Sequence, residues 1–171
     1  MGLVHLYIGD GKGKTTAAVG LAVRAAGCGC RVIFVQFLKG ADTGEQRALR
    51  QVQGVTVLEN PQTVPFVFRM KEAEKQQLAT ACMARLQQAW TLAEQADLLI
   101  LDEGLTAVEV GMLPESAILE RLPKKSDRLE LVLTGRHATA ALQAHGDYIT
   151  RMEAIAHPFD RGIPARRGIE Y

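Results

Sequence analysis

The sequence contains little of what defines several classes of protein. Its 171 residues include 3 cysteines, too few for a disulfide framework, and only 5% of them are aromatic. No apolar run approaches the ~20 residues of a membrane span, and no signal peptide is recognisable. A net charge of +1 gives no global field for binding nucleic acid. We therefore expect a single cytoplasmic domain over residues 1–171, with no membrane or nucleic-acid partner.

Two of the three cysteines stand close together, in Cys28-Gly29-Cys30. A metal site would need further ligands, and neither a second cysteine pair nor a close histidine cluster is present. A turn between a helix and a strand is the favoured interpretation. Cys82 is expected on an apolar face of a helix.

Short apolar runs alternate with helical patterns along the whole chain. This alternation predicts an α/β protein whose mostly parallel sheet has helices on both faces. Ligands of such sheets bind beyond the carboxyl ends of the strands. The predicted strands are residues 3–8, 31–37, 55–58, 98–101, 129–133 and 148–152. The predicted helices are residues 14–27, 43–52, 71–96, 114–121 and 139–143, with a loop over 60–69.

The most informative segment joins the first predicted strand to the first helix, in Ile8-Gly9-Asp10-Gly11-Lys12-Gly13-Lys14-Thr15-Thr16. A glycine loop between a strand and a helix lets backbone N–H groups surround phosphate oxygens, and the helix dipole favours the same charge. Lys14 would reach the outer phosphates and Thr15 would bind Mg²⁺. The usual pattern has glycine where this chain has Ile8, so a plain glycine turn is the alternative. The expected nucleotide-binding residues are Gly9, Asp10, Gly11, Lys12, Gly13, Lys14, Thr15, Thr16 and Lys39.

A second candidate motif, an acidic pair, follows the apolar run over 98–101. Asp102 and Glu103 end this strand, as in a Walker B segment, where a carboxylate binds Mg²⁺ directly or through water. A surface pair or helix cap is the alternative. With the glycine loop, this pair predicts a three-layer P-loop NTPase (RecA-like) fold with about six strands.

Other polar residues and aromatics are expected at the same edge of the sheet. Arg136 follows a buried strand and could hold a phosphate, although a solvated arginine is the alternative. Phe66 and Phe68 lie two apart in a proline-bounded loop. If that loop is extended, both rings face one way. From the residues alone, packing of the loop onto the core is favoured over an apolar wall for a large flat ligand.

Taken together, these segments resemble the ATP:corrinoid adenosyltransferases of the CobA/CobO/BtuR type over nearly the whole chain. The resemblance rests on residues 9–18, 36–40, 44–45, 101–103, 134–136 and the tail 159–171. It implies that the Co(I) of a corrinoid attacks C5′ of ATP and that triphosphate leaves. It gives Lys14, Glu103 and Arg136 catalytic roles and places Mg²⁺ (or Mn²⁺) on Thr15, Glu103 and Asp102.

The resemblance also implies a corrinoid-binding role for Phe66 and Phe68, whose counterparts in the family displace the lower axial ligand of cobalt. A flavoprotein or other reductase would supply the electron, and a homodimer is expected. The alternatives are another small P-loop kinase or ATPase, and a corrinoid-binding paralogue with low activity.

Overall fold

The computed structural model describes residues 1–41, 43–61, 63–65 and 67–170. Its centre is a sheet of six strands that all run parallel, in the order β3-β2-β4-β5-β1-β6. This confirms the α/β prediction with a parallel sheet of about six strands. The strands are Val4–Ile8 (β1), Val32–Gln36 (β2), Val55–Val57 (β3), Leu98–Asp102 (β4), Glu130–Thr134 (β5) and Tyr148–Arg151 (β6).

Helices connect the strands, as parallel pairing requires. The α-helices are Lys14–Gly27 (α1), Gly44–Leu49 (α2), Glu72–Ala93 (α3), Gly104–Glu109 (α4), Ser116–Leu119 (α5) and Ala140–Gln143 (α6). Single turns of 3-10 helix occur at Val67–Arg69, Leu122–Lys124 and Pro158–Arg161. No helix in the described part of the chain is long and apolar enough to cross a membrane.

The sheet is covered on both faces because successive side chains of a strand point to opposite sides. Phe34 and Ile100 pack with residues of α1 and α2 in one apolar cluster. Val35 and Leu101 belong to a larger cluster that includes residues of α3, α4, α5 and α6. All five residues of β2 and of β4 are buried. Burial on both faces of the sheet explains why the first four residues of each strand are all apolar.

Of the five predicted helices only 14–27 has the predicted bounds; α2 and α6 are shorter than the predicted 43–52 and 139–143. The helix predicted over 71–96 is α3, which begins after Lys71, whose N–H donates to the Glu74 carboxylate at 2.7 Å. The helix predicted over 114–121 is reduced to α5. Helix α4 was not predicted, because its six residues are too few to show a helical period, and Gly111 follows with φ +75°.

The segment Cys28-Gly29-Cys30 is a turn, as predicted, and Gly29 has φ +83°. All three cysteines are free, and Cys82 is buried in α3.

The carboxyl ends of β1, β2, β4 and β5 meet along one edge of the sheet. Their last residues are Ile8, Gln36, Asp102 and Thr134. Strand β6 lies at the outside of the sheet, and all four of its residues are exposed. The edge formed by the four central strands carries the polar side chains described next.

Candidate active site

The loop from Gly9 to Gly13 connects β1 to α1 in the strand–loop–helix context that the sequence predicted. Gly9 has φ +109° and Gly13 has φ +119°, a backbone region that favours glycine. The Gly9 N–H donates to the carbonyl of Arg136 at 2.8 Å, and the Gly11 N–H donates to that of Met152 at 2.8 Å. The loop is therefore held by the ends of β5 and β6. Gly9 takes the left-handed position although the usual glycine of the motif is replaced by Ile8.

Replacing Gly9 with alanine should destabilise the fold. A Cβ at residue 9 would lie 2.2 Å from the Met152 carbonyl oxygen, and φ +109° is strained for alanine. We expect a loss of about 3 kcal/mol in the free energy of unfolding, measured by urea denaturation. The matched control is Gly20→Ala in α1, where a Cβ would meet nothing within 4 Å. That variant should gain about 1 kcal/mol, and equal stability of the two variants would contradict the interpretation.

Lys14 and Thr15 are the first two residues of α1, directly after the loop. The Lys14 ammonium donates to the carbonyl of Gly11 at 2.7 Å. Burial lowers the pKa of Lys14, and the neighbouring carboxylate of Glu103 partly opposes this shift while the Arg136 guanidinium adds to it. The charges of Glu103 and Arg136 therefore both act on Lys14. These three residues come from separate segments of the sequence, and the structure brings them to the same edge of the sheet.

Asp102 is fully buried at the end of β4 and is held on both carboxylate oxygens. Thr134 donates its hydroxyl to Oδ1 at 2.8 Å. Thr15 donates its hydroxyl to Oδ2 at 3.2 Å, and the Gln36 amide donates to the same oxygen at 2.9 Å. Burial raises the pKa of Asp102, while the hydrogen bonds from Gln36 and Thr134 oppose that rise.

Glu103 follows Asp102 in a left-handed backbone conformation, with φ +57° and ψ +17°. This region is uncommon for residues other than glycine. The Glu103 N–H donates to the Thr134 hydroxyl at 2.9 Å. Thr134 therefore ties both acidic residues to the end of β5.

Two cavities open side by side at this edge. The first has a volume of about 370 Å³ and is lined by residues of the glycine loop, by Glu45 and by Gly168–Glu170 of the tail. The second has a volume of about 660 Å³ and is lined by apolar residues such as Val64, Pro65 and Phe68, and by Arg136. Lys39 and Glu103 line both cavities. Two ligands bound here would share one wall.

Most of the predicted site residues line these cavities, whereas Gly9, Asp10 and Asp102 line neither. The first cavity is lined by Gly11, Lys12, Gly13, Lys14, Thr15, Thr16, Lys39 and Glu103. The Lys12 ammonium lies 3.7 Å from the Glu170 carboxylate. Asp10 is exposed and accepts from the Ala154 N–H at 3.4 Å, so it contacts the segment that follows β6. Phe68 is 77% exposed and lines the second cavity. Phe66 lies outside the described residues.

Several polar residues of the site were missed by sequence reasoning. Gln36, Glu45 and Thr134 lie in segments that carry the family resemblance, but none of them was predicted as a site residue. A glutamine that ends a fully apolar strand is the signal that could have found Gln36. The tail residues Gly168–Glu170 have no periodic pattern that places them at the glycine loop.

The donor set at Thr15, Asp102 and Glu103 fits a magnesium ion better than an all-protein metal cage. No group of three or more His, Cys, Asp or Glu side chains within the described ranges is placed to hold a metal ion. Mg²⁺ prefers oxygen ligands and keeps several waters, so one hydroxyl and one or two carboxylates beside a phosphate group suffice. The hydroxyl of Thr15, 3.2 Å from Asp102, supplies such a pair.

The parallel sheet, the glycine loop and the paired cavities are the structural features of the candidate site, and comparison with known proteins gives the family. The sequence profile of the family described as ATP:corrinoid adenosyltransferase BtuR/CobO/CobP matches residues 1–171. The chain belongs to this family of transferases.

Individual relatives agree with this assignment. The chain is 31% identical over 172 residues to corrinoid adenosyltransferase CobA of Salmonella typhimurium, covering 99% of this chain and 86% of that protein. It is 31% identical over 177 residues to a corrinoid adenosyltransferase of Pseudomonas aeruginosa, covering 99% and 84%.

A solved structure shares the fold. The cytoplasmic domain of EssC superposes with a TM-score of 0.51 at 15% identity, covering 96% of this chain and 35% of that one. At this identity the likeness concerns the fold alone.

Proposed function

We propose that this chain transfers the 5′-deoxyadenosyl group of ATP to the Co(I) centre of a corrinoid and releases triphosphate. The observation that carries the proposal is the pair of cavities with a common wall of Lys39 and Glu103. One contains a glycine loop and a helix N-terminus, which suit a triphosphate. The other is larger, and one part of its wall is apolar, formed by residues such as Val64, Pro65 and Phe68, which suits a flat macrocycle.

The reaction needs alignment more than acid or base catalysis. The electron pair of Co(I) forms the cobalt–carbon bond at C5′, and the C5′–oxygen bond breaks with its electron pair going to the triphosphate. The protein must therefore hold cobalt in line with C5′ and stabilise the leaving negative charge. We assign the second task to Lys14, Lys12, Thr16 and Lys39 with the loop amides. Arg136 lines the second cavity, so its positive charge would act from the corrinoid side.

We assign the corrinoid to the second cavity, with Phe68 against the lower face of the macrocycle. For Phe66 we propose a corrinoid-binding role from the family resemblance alone. The high exposure of Phe68 supports this role over packing of the loop onto the core, because a buried ring would be expected in that case. Its ring lies 5.4 Å from the Arg69 guanidinium carbon.

Magnesium would be held by Thr15 and by Asp102 or Glu103. When bound, Mg²⁺ would neutralise charge that develops on the leaving triphosphate. Thr15 and Asp102 share a hydrogen bond, so the hydroxyl and one carboxylate oxygen lie 3.2 Å apart.

We also propose that the chain is a single domain with a P-loop NTPase fold of the RecA-like type. Two features support this. The loop between β1 and α1 surrounds the first cavity, and β5 separates β1 from β4, which carries Asp102. We propose a cytoplasmic location, and a separate reductase, such as a flavoprotein, that supplies the electron.

The segment from β6 to the end of the chain is the candidate surface for the proposed homodimer. Exposed large apolar side chains are frequent in this segment, and such side chains are typical of interaction sites. They are Tyr148, Ile149, Ile155, Phe159, Ile163 and Ile169. Sedimentation equilibrium should give twice the 18.6 kDa chain mass, and Ile149→Asp should shift it toward the single-chain mass. A monomeric wild-type protein at micromolar concentration would contradict the homodimer.

The decisive test combines the purified protein, MgATP and chemically reduced cob(I)alamin without oxygen and in dim light. Adenosyl transfer predicts a light-sensitive cobalt–carbon product and an equal amount of triphosphate. Release of ADP or phosphate without that bond would favour a kinase or ATPase instead. Corrinoid binding without turnover would favour a low-activity paralogue.

A further inference from the structure

Gln36 is a buried side chain that connects the two halves of the candidate ATP site. It is the last residue of β2, 1% exposed, and it pairs with Asp102 in the sheet register. Its Nε2 donates to Asp102 Oδ2 at 2.9 Å and to Glu45 Oε1 at 2.7 Å. One amide nitrogen therefore holds two carboxylates that come from different elements, the end of β4 and the first turn of α2.

The other end of the same amide is equally well bound. Gln36 Oε1 accepts from Gln46 Nε2 at 2.8 Å and from the Thr43 hydroxyl at 3.1 Å. Both donors and both acceptor positions of the side chain are used. This pattern fixes the orientation of the amide, because a flipped amide would direct its oxygen at two carboxylates.

Each carboxylate held by Gln36 has a second contact inside the site. Asp102 Oδ2 also accepts from Thr15, and Glu45 lines the first cavity, with its Oε1 3.6 Å from the Lys39 ammonium. Burial favours the neutral form of Glu45, but the Gln36 hydrogen bond and Lys39 outweigh it, so its pKa is lowered. The amide thus lies between the Thr15–Asp102 pair and the Glu45–Lys39 pair.

We propose that Gln36 is a positioning residue for the part of the ATP site that would bind Mg²⁺, at Thr15 and Asp102. It keeps Asp102 Oδ2 directed at Thr15 and holds Glu45 against the first cavity, and its effect is exerted through these two carboxylates. The proposal rests on the proposed function of the site as an ATP site. It concerns magnesium-dependent ATP binding, which can be measured without any corrinoid.

The structure offers a matched control in Gln46. Gln46 is also fully buried, and its amide donates to Gln36 Oε1 and to the Gly40 carbonyl at 3.2 Å. The described contacts of Gln46 include neither Asp102 nor Glu45. Gln46→Met removes buried hydrogen bonds next to Gln36 and leaves both donors of the Gln36 amide in place, whereas Gln36→Met removes those donors.

The test compares ATP binding by calorimetry in excess Mg²⁺ and in EDTA, for wild type, Gln36→Met and Gln46→Met. Loss of a residue that hydrogen-bonds to a metal ligand typically lowers metal affinity about 10–100-fold. We expect Gln36→Met to weaken MgATP binding at least about tenfold with little change in EDTA. Gln46→Met should bind MgATP like the wild type even if its melting temperature falls equally.

Gln36→Leu provides a second variant of similar size, in case the methionine variant does not fold. It has no donor at this position and should show the same magnesium-specific loss. MgATP binding equal to wild type in both Gln36 variants would overturn the proposal. An equal loss in Gln46→Met, or an equal loss with and without Mg²⁺, would also overturn it and assign Gln36 a structural role.

The two proposals can fail separately. If the wild type binds MgATP but does not adenosylate cob(I)alamin, the proposed function fails while the Gln36 comparison still stands. If the wild type adenosylates cob(I)alamin and the Gln36 variants bind MgATP normally, only the positioning role fails.

Discussion

Lys14→Ala should lower kcat/KM for adenosylation of cob(I)alamin by about 10²–10³-fold, as removal of one preorganised charge-stabilising donor does in other enzymes. The ammonium lies at the N-terminus of α1 and contacts the Gly11 carbonyl of the loop. Its positive charge would face the oxygens on which negative charge accumulates as triphosphate leaves. Steady-state kinetics with MgATP and pre-reduced corrinoid measure the effect.

The control for Lys14→Ala removes the same side chain from a place with no proposed role. Lys124 is an exposed lysine in the connection that leads into β5. Lys124→Ala should retain wild-type kinetics. The fold should tolerate Lys14→Ala, because the Lys14 ammonium donates to a loop carbonyl and not to a group in the core. Residual activity above about a tenth of wild type would refute the assigned role.

Phe68→Ala should separate reduction of the corrinoid from transfer of the adenosyl group. Truncating an aromatic anchor typically costs about 2 kcal/mol or more, a factor of about 30. We expect a loss of about 30-fold when Co(II) corrinoid and a reductase are supplied, because the ring is proposed to displace the lower axial ligand. With chemically prepared Co(I) corrinoid the loss should be much smaller, and MgATP binding should be unchanged.

Leu92 supplies a control for Phe68. It is an exposed apolar residue of α3 that lines neither cavity. Leu92→Ala should leave both reactions unchanged, whereas Phe68→Trp should keep the activity on Co(II). Equal losses with Co(II) and Co(I) in Phe68→Ala would argue against a role in reduction.

The central elements of the fold were predictable because their signals are local. The buried strands β2 and β4 appear as apolar runs, and the glycine loop marks the start of α1 at Lys14. Helix α4 was not predictable in this way. It occupies six residues between Glu103 and Val110, and its formation depends on packing of Leu105 and Ala107 into the core. A segment so short carries little periodic information.

The residues of the candidate site that belong to sequence motifs could be predicted. The side chains that hold those residues in place could not. Lys14, Thr15 and Asp102 belong to motifs that are read along the chain. Gln36 acts through contacts with Asp102, 66 positions away, and with residues of α2. Such a role depends on the strand order, since β2 and β4 are neighbours only in the folded sheet. The contact of Glu170 with Lys12 is similarly non-local.

The common wall of the two cavities links the affinities of the two substrates. With ATP in the first cavity and the corrinoid in the second, as proposed, both would contact Lys39 and Glu103. Each substrate would then bias side chains that the other one needs. By thermodynamic reciprocity, whatever factor ATP applies to the dissociation constant of the corrinoid, the corrinoid must apply to that of ATP. The wall turns two binding equilibria into one coupled equilibrium, in which neither affinity is a property of its own cavity alone.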